Sequence, residues 1–214
     1  MIDTASTVYI VDDDPGARAS VKALVESHGF VAEAFPSAES FLEAIARVTH
    51  HYGCIVADVR MKGMSGLELQ QRLKIEKIML PVIIITAYAD IPMAVQAVRA
   101  GAVDFLTKPC APDRLWSTII RALKQEENQR RALQDREQLC QRLATLTPEE
   151  GAVLDKVMDG LPNKRIARDL DIGLRTVELR RANIMKKMGA DSLAELIQLA
   201  LAAGFRETRR DTGE

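Results

Sequence analysis

Asp12 and Asp13 directly follow the apolar run Val8 to Val11, Asp58 closes the run that begins at Ile55, Thr86 closes the run from Val82, and Lys108 follows Val103 to Thr107. Acids that terminate otherwise apolar runs are hard to explain as surface solubility. If they converge they repel one another, and a hard divalent cation with oxygen ligands relieves that repulsion; Mg2+ fits this chemistry. An aspartate that binds the metal and lies beside a lysine can accept a phosphoryl group. Metal and ammonium neutralise charge developing on the transferring group, while a hydroxyl such as Thr86 can bond one of its oxygens. Asp14 reads instead as a helix cap, because Pro15 follows it.

The elements that must position these groups are legible from periodicity. Val8 to Val11, Val31 to Phe35, Ile55 to Asp58, Val82 to Thr86 and Val103 to Thr107 read as strands. Amphipathic stretches lie between them at Ala17 to His28, Ala38 to Val48, Gly66 to Ile75 and Met93 to Ala100, and another begins near Pro112. Alternating strands and helices predict an α/β fold, a flavodoxin-like, doubly wound, five-stranded parallel sheet. Such sheets gather their chemistry at the carboxyl ends of the strands, and neighbouring strands about 5 Å apart let the end residues meet.

With these residues in hand, VYIVDDD, CIVADVRMKGMSGLEL, PVIIITAYAD and AGAVDFLTKP resemble, in order and spacing, the receiver domain of two-component response regulators. The resemblance implies that Asp58 is the phosphoacceptor. It implies that Asp13 and Asp58 ligate Mg2+ directly, that Asp12 helps through water, and that the backbone carbonyl of Arg60 is a further ligand. Thr86 and Phe105 would form a switch pair, the hydroxyl moving toward the phosphoryl group as the ring turns inward. Lys108 would pair with phosphoryl oxygens, its peptide bond to Pro109 being cis. Lys62 stands where the family usually has proline. Haloacid dehalogenase-like phosphatases also use an aspartyl nucleophile with Mg2+, but need a second carboxylate two residues later; here that position is Arg60, which cannot serve as an acid at ordinary pH. Turnover of an external substrate is not expected, and no GxxxxGK[ST] phosphate loop is present.

From Asp113 to about Leu143 the pattern is helix-forming and largely polar after residue 123, as expected of a helical connector. Beyond it, Thr147 with Pro148, Glu149 and Glu150 opens a helix whose core face is Val153, Leu154, Val157 and Met158. Asn163 opens a second at Lys164 to Leu170, a turn at Asp171 to Gly173 leads to Arg175 to Met188, and an apolar helix runs from about Ser192 to Ala203. The net charge of −1 conceals a basic stretch, residues 164–187, with eight Lys and Arg against three Asp and Glu. A local positive surface suits nucleic acid.

This half resembles the four-helix LuxR/GerE-type helix-turn-helix domain through NKRIARDL, RTVELRRANIMKKM and the apolar last helix. With IPMAV after the fourth strand, the whole resembles the FixJ/StyR/TodT-like branch, where activation is usual. Val177, Ile184 and Met188 share a face suited to the domain core, while Glu178, Arg181 and Ala182 fall toward the groove, with Thr176 in the helix's opening turn. Glu178 would accept from cytosine and Arg181 would bond guanine, while Lys164, Arg175, Lys186 and Lys187 reach phosphates. The opening turn departs from the family's arginine and glutamate after LT, with Glu150 and Gly151 following Pro148 and Glu149, so charged anchoring of that helix is not expected to follow the family pattern. The last helix, with Leu193, Leu196, Ile197, Ala200 and Leu201, is apolar beyond what a small domain core needs, and the resemblance implies that it pairs two such domains.

The expected organisation is a receiver over residues 1–123, a helical linker over 124–145, a DNA-binding domain over 146–208 and a tail over 209–214. The expected partners are a sensor histidine kinase, promoter DNA, a second copy of the chain and RNA polymerase. Regulation that needs no phosphate, with a vestigial receiver, is the alternative. Apolar residues at 47% and charged residues at 28% fit a globular chain with no membrane class. The N-terminus lacks a basic leader pattern, so the cytoplasm is expected. Cys54, Cys110 and Cys140 have neither disulfide nor zinc spacing, and His28, His50 and His51 have no ligand spacing.

Overall fold

Strands β1 (Thr7–Val11), β2 (Val31–Phe35), β3 (Gly53–Asp58), β4 (Val82–Thr86) and β5 (Asp104–Thr107) alternate with helices α1 (Pro15–Ser27), α2 (Ala38–Ile45), α3 (Gly66–Ile75), α4 (Ile91–Arg99) and α5 (Pro112–Ala144). The helices α6 (Pro148–Met158), α7 (Asn163–Asp169), α8 (Leu174–Met188) and α9 (Leu193–Ala202) follow. The structure, a computed structural model, describes residues 6–47, 51–88 and 90–205. Val48, His50 and the expected tail at 209–214 lie outside the described residues. The chain divides into two compact units, Met1–Arg130 and Arg131–Glu214.

In the first unit the strands form one parallel sheet in the order β2-β1-β3-β4-β5, the doubly wound arrangement the alternation predicts. Every residue of β3 is buried, as a central strand covered on both faces requires. Its alternation divides the core. Cys54 and Val56 join Ile10, Ile83 and Ile85 beneath α1 and α5, where Val25, Ile119 and Leu123 are buried. Ile55 and Ala57 face the other way with Ile84, beneath Phe41 of α2, Leu69 of α3 and Ala97 of α4.

Caps set two boundaries that periodicity alone placed later. Asp14 accepts from the Ala17 amide at 2.7 Å, so α1 begins at Pro15. Asp90 accepts from the Met93 amide at 2.7 Å, so α4 begins at Ile91. The cysteines are free, and Cys54 is fully buried as a small apolar side chain. Burial pushes its thiol well above the usual range. His28 stacks on Trp116 with ring centroids 4.0 Å apart.

Helix α5 is continuous for 33 residues. Its first turns bury Leu115, Ile119, Ala122 and Leu123 in the first unit. Contact with that unit then extends past residue 123. Glu126 is buried and pairs with Arg130 at 3.2 Å, and the Arg130 guanidinium lies 4.5 Å from the centre of the Tyr52 ring. In the second unit, Val153, Leu154 and Val157 of α6, Ile166 of α7, Val177, Ile184 and Met188 of α8, and Leu196 and Ala200 of α9 form one core. Gly189 ends α8 in the left-handed conformation. Among the described residues no helix is long and apolar enough to cross a membrane.

Gly66 matters to the site because α3 starts directly against β3. A Cβ at this position would lie 2.2 Å from the Asp58 carbonyl oxygen. Gly66→Ala should therefore displace the strand end and lower the stability of the first unit by about 1–3 kcal/mol, as overpacking does. Urea unfolding of the native and substituted chains measures this.

Candidate functional site

Strand register brings the acids together. Val11 pairs with Ala57, so Asp12 and Asp58 are the next residue on adjacent strands, and Asp58 is itself level with Ile85. Oxygens of Asp12, Asp13 and Asp58 lie within 4.8 Å of one another. Lys108, after β5, reaches across to Asp12 Oδ2 at 2.5 Å and to Asp58 Oδ2 at 3.3 Å. Burial works against the Lys108 ammonium, but the bonds and charges of Asp12 and Asp58 outweigh it and hold its pKa above the ordinary lysine value. Asp12 Oδ1 also accepts from the Asp14 amide at 2.9 Å. Asp58 Oδ1 differs: it is buried and has no hydrogen-bond partner among the described residues. A buried, unpaired carboxylate oxygen is costly unless a cation or a transferring group uses it. The acidic triad is consistent with a Mg2+ site.

The loop after β3 lies over this pocket. The Lys62 amide donates to Asp13 Oδ2 at 3.3 Å, and the Arg60 guanidinium sits 4.6 Å from the centre of the Tyr88 ring. Thr86 is fully buried at the end of β4; its hydroxyl oxygen accepts from the Tyr88 amide at 3.3 Å, and its carbonyl accepts from the Lys108 amide at 2.8 Å. Phe105, paired in register with Ile84, is half-buried against the core face shared by α2 to α4. The peptide bond between Lys108 and Pro109 is cis. Asp14 is the cap of α1 rather than part of the triad.

In the second unit, α7, the turn at 170–173 and α8 form a helix-turn-helix. Asp171 takes a left-handed conformation at φ 51° within the turn. Lys164, Arg175, Glu178, Ala182 and Lys186 are exposed, and Thr176 is half-buried. Among the described residues Lys164, Arg175 and Lys186 make no ion pair, whereas two other cations have partners within the unit. Arg181 donates to Asn163 Oδ1, and Asn163 is the first residue of α7, with Pro162 at the cap position before it. Lys187 donates to the Thr145 carbonyl at 2.9 Å and to Glu150 Oε2 at 2.6 Å. Leu179 stands on the exposed face at 62% exposure. Its apolar type suggests core in a sequence read alone, but its place four residues after Arg175 and three before Ala182 puts it on this face.

Residues 8–120 match the response regulator receiver domain, and residues 144–200 match the bacterial regulatory proteins of the luxR family. The chain belongs to the LuxR-type response regulators. It is similar to the transcriptional regulatory protein FixJ of Bradyrhizobium diazoefficiens, with 42% identity covering 94% of this chain and 98% of that protein. The response regulator protein TodT of Pseudomonas putida is 41% identical over 93% of this chain and 87% of its own. A low-resolution structure of the response regulator StyR matches with a TM-score of 0.82 at 42% identity, covering 92% of this chain and 98% of that one. This response regulator is thus a DNA-binding transcription factor of a two-component system and not a classical enzyme.

Glu150 answers the expectation about the opening turn of the response regulator's helix-turn-helix unit. Charged anchoring is present: Glu150 is buried, accepts from the Thr147 amide at 2.9 Å in a capping box and pairs with Lys187. The Lys187 bond, then the Thr147 amide, draws its carboxyl below the ordinary glutamate value of 4.5. A depressed folded pKa favours the ionised fold, so this contribution is complete above the ordinary value and is lost as pH falls through the lower folded value. Glu150→Gln should lower the stability of this unit by about 2 kcal/mol near neutral pH. It should also reduce the loss of stability on acidification, which urea unfolding at neutral and acid pH checks.

Proposed function

We propose that a sensor histidine kinase phosphorylates Asp58, and that this controls promoter binding by the helix-turn-helix unit in the cytoplasm. The observation that carries the reading is the buried, unpartnered Asp58 Oδ1 beside two further carboxylates and the Lys108 ammonium. In this reading Asp58 Oδ1 attacks phosphorus as the phosphohistidine P–N bond breaks, and Lys108 turns from its carboxylate partners to the phosphoryl oxygens. Thr86 supplies a hydroxyl to the phosphoryl group and Phe105 turns inward behind it. Asp12, Asp13, Asp58 and the Arg60 carbonyl would hold Mg2+, which supplies positive charge against that developing on the phosphoryl oxygens.

On the DNA side, Lys164, Arg175 and Lys186 contact phosphates, while Lys187, expected from the sequence to do the same, stays on Glu150 and anchors α8, which carries Arg175 and Lys186. Thr176, Glu178, Arg181 and Ala182 face the bases, and Leu179 offers an apolar contact for a thymine methyl. Two copies of the chain bind paired half-sites, and the protein activates transcription through RNA polymerase. The working divisions are a receiver over 1–123 whose packing continues along the connector to Arg130, a linker over 124–145, a DNA-binding domain over 146–208 and a tail over 209–214.

With acetyl phosphate and Mg2+, intact-mass analysis should find a phosphorylated native chain and an unmodified Asp58→Ala chain. Promoter affinity should rise on phosphorylation only in the native chain. A native chain that takes no phosphate but binds promoter DNA would establish the vestigial-receiver alternative.

Lys164→Ala, Arg175→Ala and Lys186→Ala should each weaken binding across sequences and reduce the slope of log affinity against log salt by about one. Fluorescence anisotropy over a salt series measures both effects.

A further inference from the structure

The loop joining β3 to α3 is held at three points. The Gly66 amide donates to the Val59 carbonyl at 3.1 Å, the Lys62 amide to Asp13 Oδ2 at 3.3 Å, and the Met64 amide to Glu39 Oε1 at 2.8 Å. The last contact comes from another element, the first turn of α2, 25 residues earlier in the chain. It has the length of a charge-assisted bond, whereas the Asp13 contact is longer and weaker. Gly63, at φ +83°, lets the carboxylate lie against bare backbone, since a Cβ there would sit 2.7 Å from Glu39 Oε1. The Met64 amide also draws the Glu39 carboxyl below its ordinary pKa.

We propose that Glu39 is a positioning residue for phosphoryl transfer to Asp58: through the Met64 amide it fixes the acceptor loop that carries the Arg60 carbonyl and leans on Asp13. The proposal rests on the reading of Asp58 as phosphoacceptor and of Asp13 and Arg60 as metal ligands. With Glu39 in place, the loop does not depend on Asp13 for its side-chain tether. Without it, the loop leans more heavily on Asp13 Oδ2, which already accepts from the Lys62 amide, and an oxygen drawn further into that bond is a poorer ligand for a cation. Residues that orient ligands in this way typically change metal affinity by 10–100-fold when removed. Glu39 is itself exposed, outside the core clusters, so its truncation leaves hydrophobic packing intact.

The test compares full-length native, Glu39→Ala, Glu39→Gln and Asp58→Ala chains. Calorimetric Mg2+ titration without phosphodonor, hydrogen exchange of the Met64 amide, the acetyl phosphate reaction rate over a Mg2+ series and the urea midpoint are measured on each. Glu39→Ala should bind Mg2+ on the order of tenfold more weakly, expose the Met64 amide to faster exchange and react slowly at low Mg2+. High Mg2+ should restore its rate. Glu39→Gln, whose amide carbonyl still accepts from Met64, should stay close to native in Mg2+ affinity and rate, and the urea midpoint should fall in Glu39→Ala by no more than the loss of one exposed hydrogen bond. Native Mg2+ affinity and rate in Glu39→Ala would overturn the proposal. So would a lowered urea midpoint with native Mg2+ affinity, which marks a purely structural role. If the native chain binds Mg2+ but takes no phosphate, the phosphoacceptor reading fails and the positioning claim falls with it, whereas a phosphorylated native chain matched by Glu39→Ala defeats Glu39 alone.

Discussion

The ammonium of Lys108, held between Asp12 and Asp58 at the carboxyl edge of a buried sheet, is the interaction on which the receiver site depends. Two carboxylate oxygens within 4.8 Å of one another repel by at least roughly 3–4 kcal/mol at an effective dielectric near 20. Three acids against one ammonium leave two formal negative charges in surplus, so the lysine relieves the repulsion without ending it. The pocket keeps a surplus of negative charge, which is what makes it consistent with a divalent-cation site. Lys108 can do this because β5 pairs with β4 in a register that aligns Thr107 with Thr86, delivering the next residue at the level of the acids.

The second unit works on a different balance. Its core is built from single faces of four short helices, and its polar anchors join elements that the core alone would leave loosely set. Arg142 donates to the Met188 carbonyl at 2.9 Å, and Lys187 reaches Thr145 and Glu150. The carboxyl end of α8 is thereby tied to the end of α5 and the start of α6. Cations near a helix carboxyl end are also favoured by its dipole. Lys164, Arg175 and Lys186 remain exposed, so the basic stretch divides between groups that hold the domain together and groups free to meet phosphate.

Short β-rich apolar runs and amphipathic stretches placed the strands and helices seen among the described residues, and strand ends alone brought Asp12, Asp13, Asp58, Thr86 and Lys108 together as candidates. These are local signals, carried by residues a few positions apart. The start of α1 at Pro15 is legible from Asp14 as its cap, whereas that of α4 lies two residues earlier than its apolar pattern because Asp90 caps it. Glu39 and Glu150 illustrate what local signals cannot carry. Each looks like an ordinary acid in the first turn of a helix, and each takes its importance from a partner 25 or 37 residues away that only the folded chain supplies.

The continuity of α5 bears on where the receiver can be separated from the rest. Ending a fragment at residue 123 would keep Ile119 and Leu123 but remove Glu126 and Arg130, stripping the Tyr52 ring of its cationic cover. A receiver carried through residue 130 keeps that cover, so the compact first unit includes nearly two helical turns that composition alone would assign to the connector.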